Sequence, residues 1–540
     1  MKLFRIVLAS AALLLAGGAA GAKDISTPAE WNAFVLAVNG GDWSEWKDAD
    51  GVVNIVADLT FPKQAGIIES SLSWRGVLDG HGHTFTQKAS RLPIVINVAP
   101  EGVIRNIVFA GVRPSHKLNG WASVIAVNNA GLIENCHSKV DFVVTADNAN
   151  VHGLVRTNTG TVRACTNSGR IISSAPVQDL WVAGVVTDNQ GVMENCANYG
   201  PISISGVDAH ACVAGVCVFA KGRITNCVNE GAINVGLEIS DNRVFYCGGV
   251  LARGECRGAD AVFTNLRNKG EIKVVRNTDG RWLLLKCGVA GVLATVIDGD
   301  ADHHVVLENA FNDAPVTLWE DESTSPLAGC FAVGGIVGRV GPNGGKETYL
   351  DISKDGFAFE MRNCRNAGTI DHSSASVFPI YFERSPSGAR FAYAGGVAGV
   401  VYGSRECPAL IENCINTGAV LCGSRKAADM DGGIAGGIGY AKMTNCMAST
   451  TFRPSPSTLL RSECFGAIGG AVGLILKDSE LQNCQAKMTL DTGSGKVYSK
   501  GFIGAVAIGA VAHAENCMVS GGAAWGTYLP GEFKGKIIVK

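Results

Sequence analysis

The chain has 540 residues, with 46 Lys and Arg against 48 Asp and Glu, a net charge of −2. So even a balance argues against a nucleic-acid partner, because phosphate binding needs a basic surface. Only 17% of the residues are charged and 69 are Gly, a composition suited to many tight turns joining many short buried strands.

Residues 1–22 read as a secretory signal peptide. Lys2 and Arg5 form a positive start, residues 6–15 are apolar, and Ala20-Gly21-Ala22 offers small residues for cleavage. The apolar run is too short to span a bilayer. No Cys follows it to carry a lipid, and no later stretch reaches a span's length without Gly or charge. The expectation is an exported protein, extracellular or on the cell surface with the periplasm as an alternative, and no transmembrane segment in the mature chain.

Residues 23–61 form an expected N-terminal cap of one helix and one strand. Thr27-Pro28-Ala29-Glu30 has the form of a capping box with Pro at the first helical position. Trp31, Phe34, Val35 and Val38 then share one helical face, and Asn39-Gly40-Gly41 ends the helix. A strand over 52–61 follows, then WRGVLDGHGHTF at 74–85. Such a cap would cover the open strand edge of whatever comes next.

From about residue 102 one phrase recurs: GLIENC at 131–136, GVMENCANYGPI at 191–202, GRITNCVNEGAI at 222–233, MRNCRNAGTI at 361–370 and LIENCINTGAV at 410–420. Shorter or degenerate copies lie between and after these, giving roughly eleven units. A second, Gly-rich phrase alternates with the first: VAGVV at 182–186, VGGIVG at 333–338, AGGVAG at 394–399, GGIAGG at 432–437 and IGGAVG at 468–473. Fixed-period repetition of short β-forming runs signals a solenoid. In IENC the Ile and the Cys lie three apart, so both face inward only if the chain bends between them. Asn tolerates left-handed backbone angles, which places Asn135, Asn195, Asn226, Asn363, Asn413, Asn445, Asn483 and Asn516 at one repeated corner, stacked for hydrogen bonding. A second Asn, two residues after the Cys position (Asn167, Asn198, Asn229, Asn268, Asn312, Asn366, Asn416), marks a second turn.

Eighteen Cys in an exported chain would ordinarily suggest disulfides. Nine share one repeat position (Cys136, Cys165, Cys196, Cys227, Cys364, Cys414, Cys446, Cys484, Cys517), where Ile107, Leu266 and Ala310 stand in other units. Interchange with apolar residues means a small buried hydrophobe, and stacked parallel side chains suit disulfide geometry poorly. Mostly free thiols are expected. Cys247, Cys287, Cys330 and Cys464 precede the Gly-rich phrase and are candidates for a second inward ladder.

The motif order, a helix ending in NGG, a strand, a DGHGH segment, then alternating NC and AGG repeats, resembles bacterial surface proteins with GLUG-type repeats. The resemblance covers nearly the whole mature chain. It implies a pectin-lyase-like, right-handed parallel β-helix over 62–540, all-β apart from the cap, with loop insertions around 274–330 and 339–393. It carries little about activity, because fold does not fix function.

No catalytic, cofactor or metal site is expected. His81 and His83 in DGHGH read as a turn. Asp298, Asp300 and Asp302 alternate as in a calcium loop, but His303 and Asn309 occupy the positions where an EF-hand needs Gly and Glu. No Cys/His spacing suggests zinc. The insertions concentrate aromatics, and insertions in repeat proteins tend to emerge on a binding face. Trp319, Tyr349, Tyr381, Phe382 and Tyr393 are therefore the candidate ligand-binding residues. The expected function is a binding or adhesion scaffold for a glycan or an extracellular protein, with a carbohydrate-active β-helix enzyme and a structural spacer as alternatives.

Overall fold

The computed structural model describes residues 22–540 apart from 89–92, 116–122, 145–149, 174–179, 208–209, 239–242, 257, 277–283, 300–301, 321–327, 343–357, 373–391, 423–428, 455–465, 492–498 and 529–530. Residues 1–21 of the expected signal peptide, parts of the first insertion and most of the second thus fall outside the described residues.

One coil shows the plan. Thr161–Arg163, Thr166–Asn167 and Ile171–Ser173 line one side, and Leu180–Ala183 and Val186–Asn189 close the other. The next coil repeats the set, and each strand pairs in parallel with its counterpart: Thr161 with Val192, Ile171 with Ile202, Leu180 with Ala211 and Val186 with Cys217. The result is a parallel β-helix with two long sheets, one built from three strands per coil and one from two. The strand that opens each coil forms a continuous ladder from Val52–Asn54 to Glu532–Val539 through fourteen pairings. At ~4.8 Å per step the stack is about 67 Å long. Three coils carry no NC phrase, those opened by Val52–Asn54, Val77–Asp79 and Glu532–Val539, so the coils outnumber the repeats legible in the sequence.

The corner after each opening strand is where the phrase put its Asn. Asn106, Asn135, Asn195, Asn226, Asn265, Asn309, Asn363, Asn413, Asn445, Asn483 and Asn516 all have φ between 49° and 56°. Their side chains link coil to coil: Asn135 Nδ2 donates to Asn106 Oδ1 at 2.8 Å and Asn265 Nδ2 to Asn226 Oδ1 at 2.9 Å.

The second Asn ladder precedes the expected bend, which falls two residues on as at Gly200 and Gly231, but its side chains point into the core. Asn198, Asn229, Asn268, Asn312, Asn366 and Asn416 are fully buried. Asn198 Nδ2 donates to Asn229 Oδ1, Asn229 to Asn268, Asn268 to Asn312, Asn312 to Asn366 and Asn366 to Asn416, all at 2.7–2.9 Å. Each amide also donates to a carbonyl two residues on, as Asn366 does to Gly368 at 2.8 Å. A buried amide is tolerable only when its hydrogen bonds are made, and the stack makes them.

The Gly-rich phrase is the counterpart of this ladder. A Cβ at Gly335 would fall 2.3 Å from Asn366 Cγ, and one at Gly291 2.3 Å from Asn312 Cγ. The preceding Gly answers a different need. A Cβ on Gly395 would come within 1.8 Å of Ala398 O, because the chain folds back sharply between the two strands of that sheet.

The Cys ladder is interior and unbridged. The fifteen described thiols are free, and all but half-exposed Cys407 are buried. Cys136, Cys165, Cys364 and Cys414 each donate Sγ–H to the carbonyl two residues back at 3.2–3.4 Å. Burial pushes the Cys165 and Cys414 thiols up, and outside this ladder it pushes Cys212 to about 12. The expected second ladder does not form as such: Cys247 pairs with Val289 in the next coil, whereas Cys287 lies opposite Phe245 and Phe331, two residues away along the strand.

At the start, the helix Pro28–Gly40 has the expected capping box and buries Trp31, Phe34, Val35 and Val38. The strand assigned to the cap is instead two strands, Val52–Asn54 and Leu59–Phe61, which pair with Val77–Asp79 and Thr84–Gln87 as the first coil. The helix lies over that coil and satisfies its open edge with side chains. Asn39 donates to Ile67 O at 2.9 Å and accepts from Glu69 N–H at 3.1 Å, Asn32 accepts from Gly66 N–H at 2.9 Å, and Trp31 Nε1 donates to Gly66 O at 3.0 Å.

Candidate functional site

Of the five aromatics expected to bind ligand, Tyr349, Tyr381 and Phe382 lie outside the described residues. Trp319 lies in the strand Val316–Glu320, in register with Val275. Tyr393 must be corrected: it is 1% exposed and packs with Ala332, Val400, Tyr402, Met430 and Leu474. The cause is the fold-back at Gly395. It turns the outer faces of two successive strands toward each other, so that Tyr393 on Ala392–Gly395 and Val400 on Ala398–Tyr402 meet in a concave corner outside the main core.

That corner continues from coil to coil between residues 181 and 430. One wall carries Trp181, Cys212, Tyr246, Gly288, Ala332, Tyr393 and Met430 in register; the other carries Asp188, Phe219, Arg253, Thr295, Arg339 and Val400. From Tyr246 and Thr295 onward it is closed, each of these residues being at most 1% exposed where side chains are described. Two coils before Tyr246 it opens. Trp181 is 37% exposed.

The open end is a pocket of about 270 Å³ lined by Arg156, Trp181, Asp188, Phe219, Lys221 and Glu255. The Trp181 and Phe219 rings stand edge to face, centroids 5.1 Å apart at 89°, the arrangement aromatic quadrupoles favour. Beside them Lys221 Nζ lies 3.5 Å from Asp188 Oδ1 and 3.6 Å from Glu255 Oε2. Gln190 donates to the other Asp188 oxygen at 2.9 Å. Arg253 binds Glu255 at 2.7 Å and sits over the Phe219 ring at 5.7 Å. The pocket thus joins one flat apolar face to a cluster of fixed donors and acceptors.

Sequence reasoning passed over this site because it looked to the insertions. A signal for Trp181 was present: Leu180 and Val182 flank it as inward residues, and alternation sends Trp181 out. Phe219 had no such signal, since the fold-back puts Val218 and Phe219 both outside the main core.

The DGHGH segment is a turn, as its residues suggest. His81 has φ 48° and its Nε2 lies 2.8 Å from Asn54 Oδ1. Asp79 is 4% exposed and receives Arg105 Nε at 2.7 Å, Asn106 Nδ2 at 2.9 Å and the His81 amide at 2.9 Å. Burial opposes its ionisation, but these donors outweigh burial and hold the carboxyl below its ordinary range. His303 and His304 do not converge on Asp302 as metal ligands: His304 Nδ1 faces Glu360 at 3.1 Å. No group of His, Cys, Asp and Glu among the described residues is arranged to hold a metal ion. No described helix is long and apolar enough to cross a membrane.

Comparison with protein-family models, with curated proteins and with solved structures returned no match. The structure itself defines the class, a parallel β-helix closed at one end by a helix.

Proposed function

We propose that this protein is an exported binding scaffold, of the GLUG-repeat kind its motif order resembles, that seats a sugar ring of a glycan in the pocket of Trp181. The observation that carries the reading is the pairing of a part-exposed indole with fixed hydrogen-bonding groups, where the outer corner opens at Trp181. A pyranose has an apolar face for the ring and a rim of hydroxyls for Asp188, Lys221 and Glu255. The rigid solenoid holds both in place, as a specific site requires.

Binding fits the chemistry better than cleavage. A glycosidase needs one carboxyl that keeps its proton to give to the leaving group. Here neither carboxyl is set apart for that role: Asp188 and Glu255 both lie against the same Lys221 ammonium, and Arg253 binds Glu255 as well. The pocket is equipped to hold a sugar.

The test is a glycan array probed with the mature protein, followed by calorimetry on the best ligand. Trp181→Ala is expected to weaken binding about tenfold, equivalent to ~1.4 kcal/mol. Thermal stability should be unchanged, because Trp181 lies outside the main core. An array without a bound glycan, or equal affinity for Trp181→Ala, would refute the proposal.

A further inference from the structure

A second recess lies on the opposite sheet, near the C-terminal end. It encloses about 900 Å³. Its floor is a ladder of outward residues from consecutive opening strands: Glu360, Leu410, Lys442, Glu480, His513 and Lys534, each in register with the next. Tyr440 and Arg405 form one wall, with the guanidinium 5.8 Å from the ring centroid. The long axis of the groove therefore follows the axis of the solenoid.

Two features of this floor select its occupant. The first is spacing. Successive rungs are ~4.8 Å apart, whereas same-face side chains of an extended peptide repeat every ~6.6 Å and would drift out of step within a few rungs. A pyranose unit is close in length to one rung, so a linear polysaccharide laid along the groove stays in step.

The second is charge. The acids of the groove already have donors. Glu360 is held by Arg362 at 2.7 Å and His304 at 3.1 Å, Asp478 accepts the Val511 amide at 2.9 Å, and Glu480 faces Lys442 at 3.9 Å. At the far end Lys534 and His513 are exposed, and no ion pair involves either among the described residues. Lys534 is thus available to an anion, and Lys442, held to Glu480 only at 3.9 Å, can be drawn to one.

We infer that this groove binds a linear polysaccharide bearing carboxylate or sulfate groups, with Lys442 and Lys534 as the cations that read its charge. The site is separate from the Trp181 pocket and its ligand is distinct. Attraction of the whole protein for polyanions does not account for the expected binding, since the chain carries a net −2.

Affinity electrophoresis of the mature chain tests this, with polygalacturonate, dextran sulfate or neutral dextran cast into the gel. Retardation by at least one polyanion is expected, with none by neutral dextran and relief by added salt. The Lys442→Ala/Lys534→Ala double variant should weaken retardation at least tenfold. Glu480→Gln, which releases Lys442, should strengthen it. Trp181→Ala should leave it unchanged, which separates this inference from the sugar-pocket proposal. No retardation by either polyanion, equal retardation by neutral dextran, or full retardation of the double variant would overturn the inference. All four substituted positions are exposed, and circular dichroism with a melting curve confirms that each variant is folded.

Discussion

At the residue scale the fold depends on a fit between two side-chain positions that lie far apart in the repeat. The interior Asn of the NC phrase reaches across the coil and fills the space a Cβ would take at the second Gly of the Gly-rich phrase. Where the Asn gives way to Ala448 and Ala486, the facing Gly433 and Gly470 meet those methyl groups instead, at 2.7 and 2.8 Å from a notional Cβ. Gly335→Ala should therefore be destabilising by about 1–3 kcal/mol, the range for overpacking a dense core. It would push against Asn366 and Gly396 O together. Gly40→Ala, where an added Cβ meets nothing within 4 Å, should be neutral or slightly stabilising, because Ala is preferred over Gly within a helix. Chemical denaturation of the two variants checks this, and equal stability would mean the Gly–Asn fit is not what fixes that position. The corner Asn residues were legible in the sequence because only a bend between Ile and Cys brings both inward, and Asn adopts that bend. The interior Asn was read as a turn former. Its offset from Gly is that of a turn, and nothing local distinguishes an Asn that bends the chain from one that hydrogen-bonds to its copies above and below. The thiol ladder was legible for a physical reason: interchange of Cys with Ile, Leu and Ala at one position can only describe a buried apolar site.

At the scale of elements, the N-terminal helix works as a lid. A parallel β-helix leaves at its first coil a row of backbone groups that would otherwise pair with another chain. Asn32, Asn39 and Trp31 occupy that row from one face of Pro28–Gly40, while Trp31 and Phe34 pack edge to face on Phe85 and Trp74 beneath them. The sequence marked the helix clearly, through its capping box and its apolar face. It did not show that residues 52–61 belong to the first coil, because those strands lack the Asn and Cys that mark the later ones. In their place the second coil has Asp79, which gathers Arg105, Asn106 and the turn at His81. A carboxyl held below its unfolded value adds stability above the unfolded pKa of ~3.9 and loses that contribution as pH falls through the folded value. The melting temperature of the native protein should accordingly exceed that of Asp79→Asn by a constant margin from pH 7 to about pH 5. The margin should shrink progressively below about pH 4. A margin independent of pH down to 3 would mean that Asp79 acts through packing rather than charge.

At the scale of the whole molecule, the stacking of equivalent coils makes the protein close to one-dimensional, each coil resting only on its neighbours. The two proposed sites lie in different coils, the Trp181 pocket toward the start and the charged groove near the end, so they should be separable by removing coils. Residues 155–216 comprise two full periods: Val155 is in register with Val186, and Val186 with Cys217. Joining Leu154 directly to Cys217 would set Cys217 in the place of Val155, above Ala126, with matched strand positions on either side. It would also leave the helix lid and the last coils intact. The shortened protein is expected to fold with an unchanged β-sheet circular dichroism signal and a single unfolding transition. It should lose sugar binding with Trp181 and keep its retardation by polyanions. The outer corner should then be open nowhere between the new junction and Tyr246 except over Phe219, so no second sugar site should appear. A shortened chain that unfolds in two separate steps would show instead that the coils on either side of the cut are independent bodies, and that the continuous ladder from Val52 to Val539 is not a single cooperative unit.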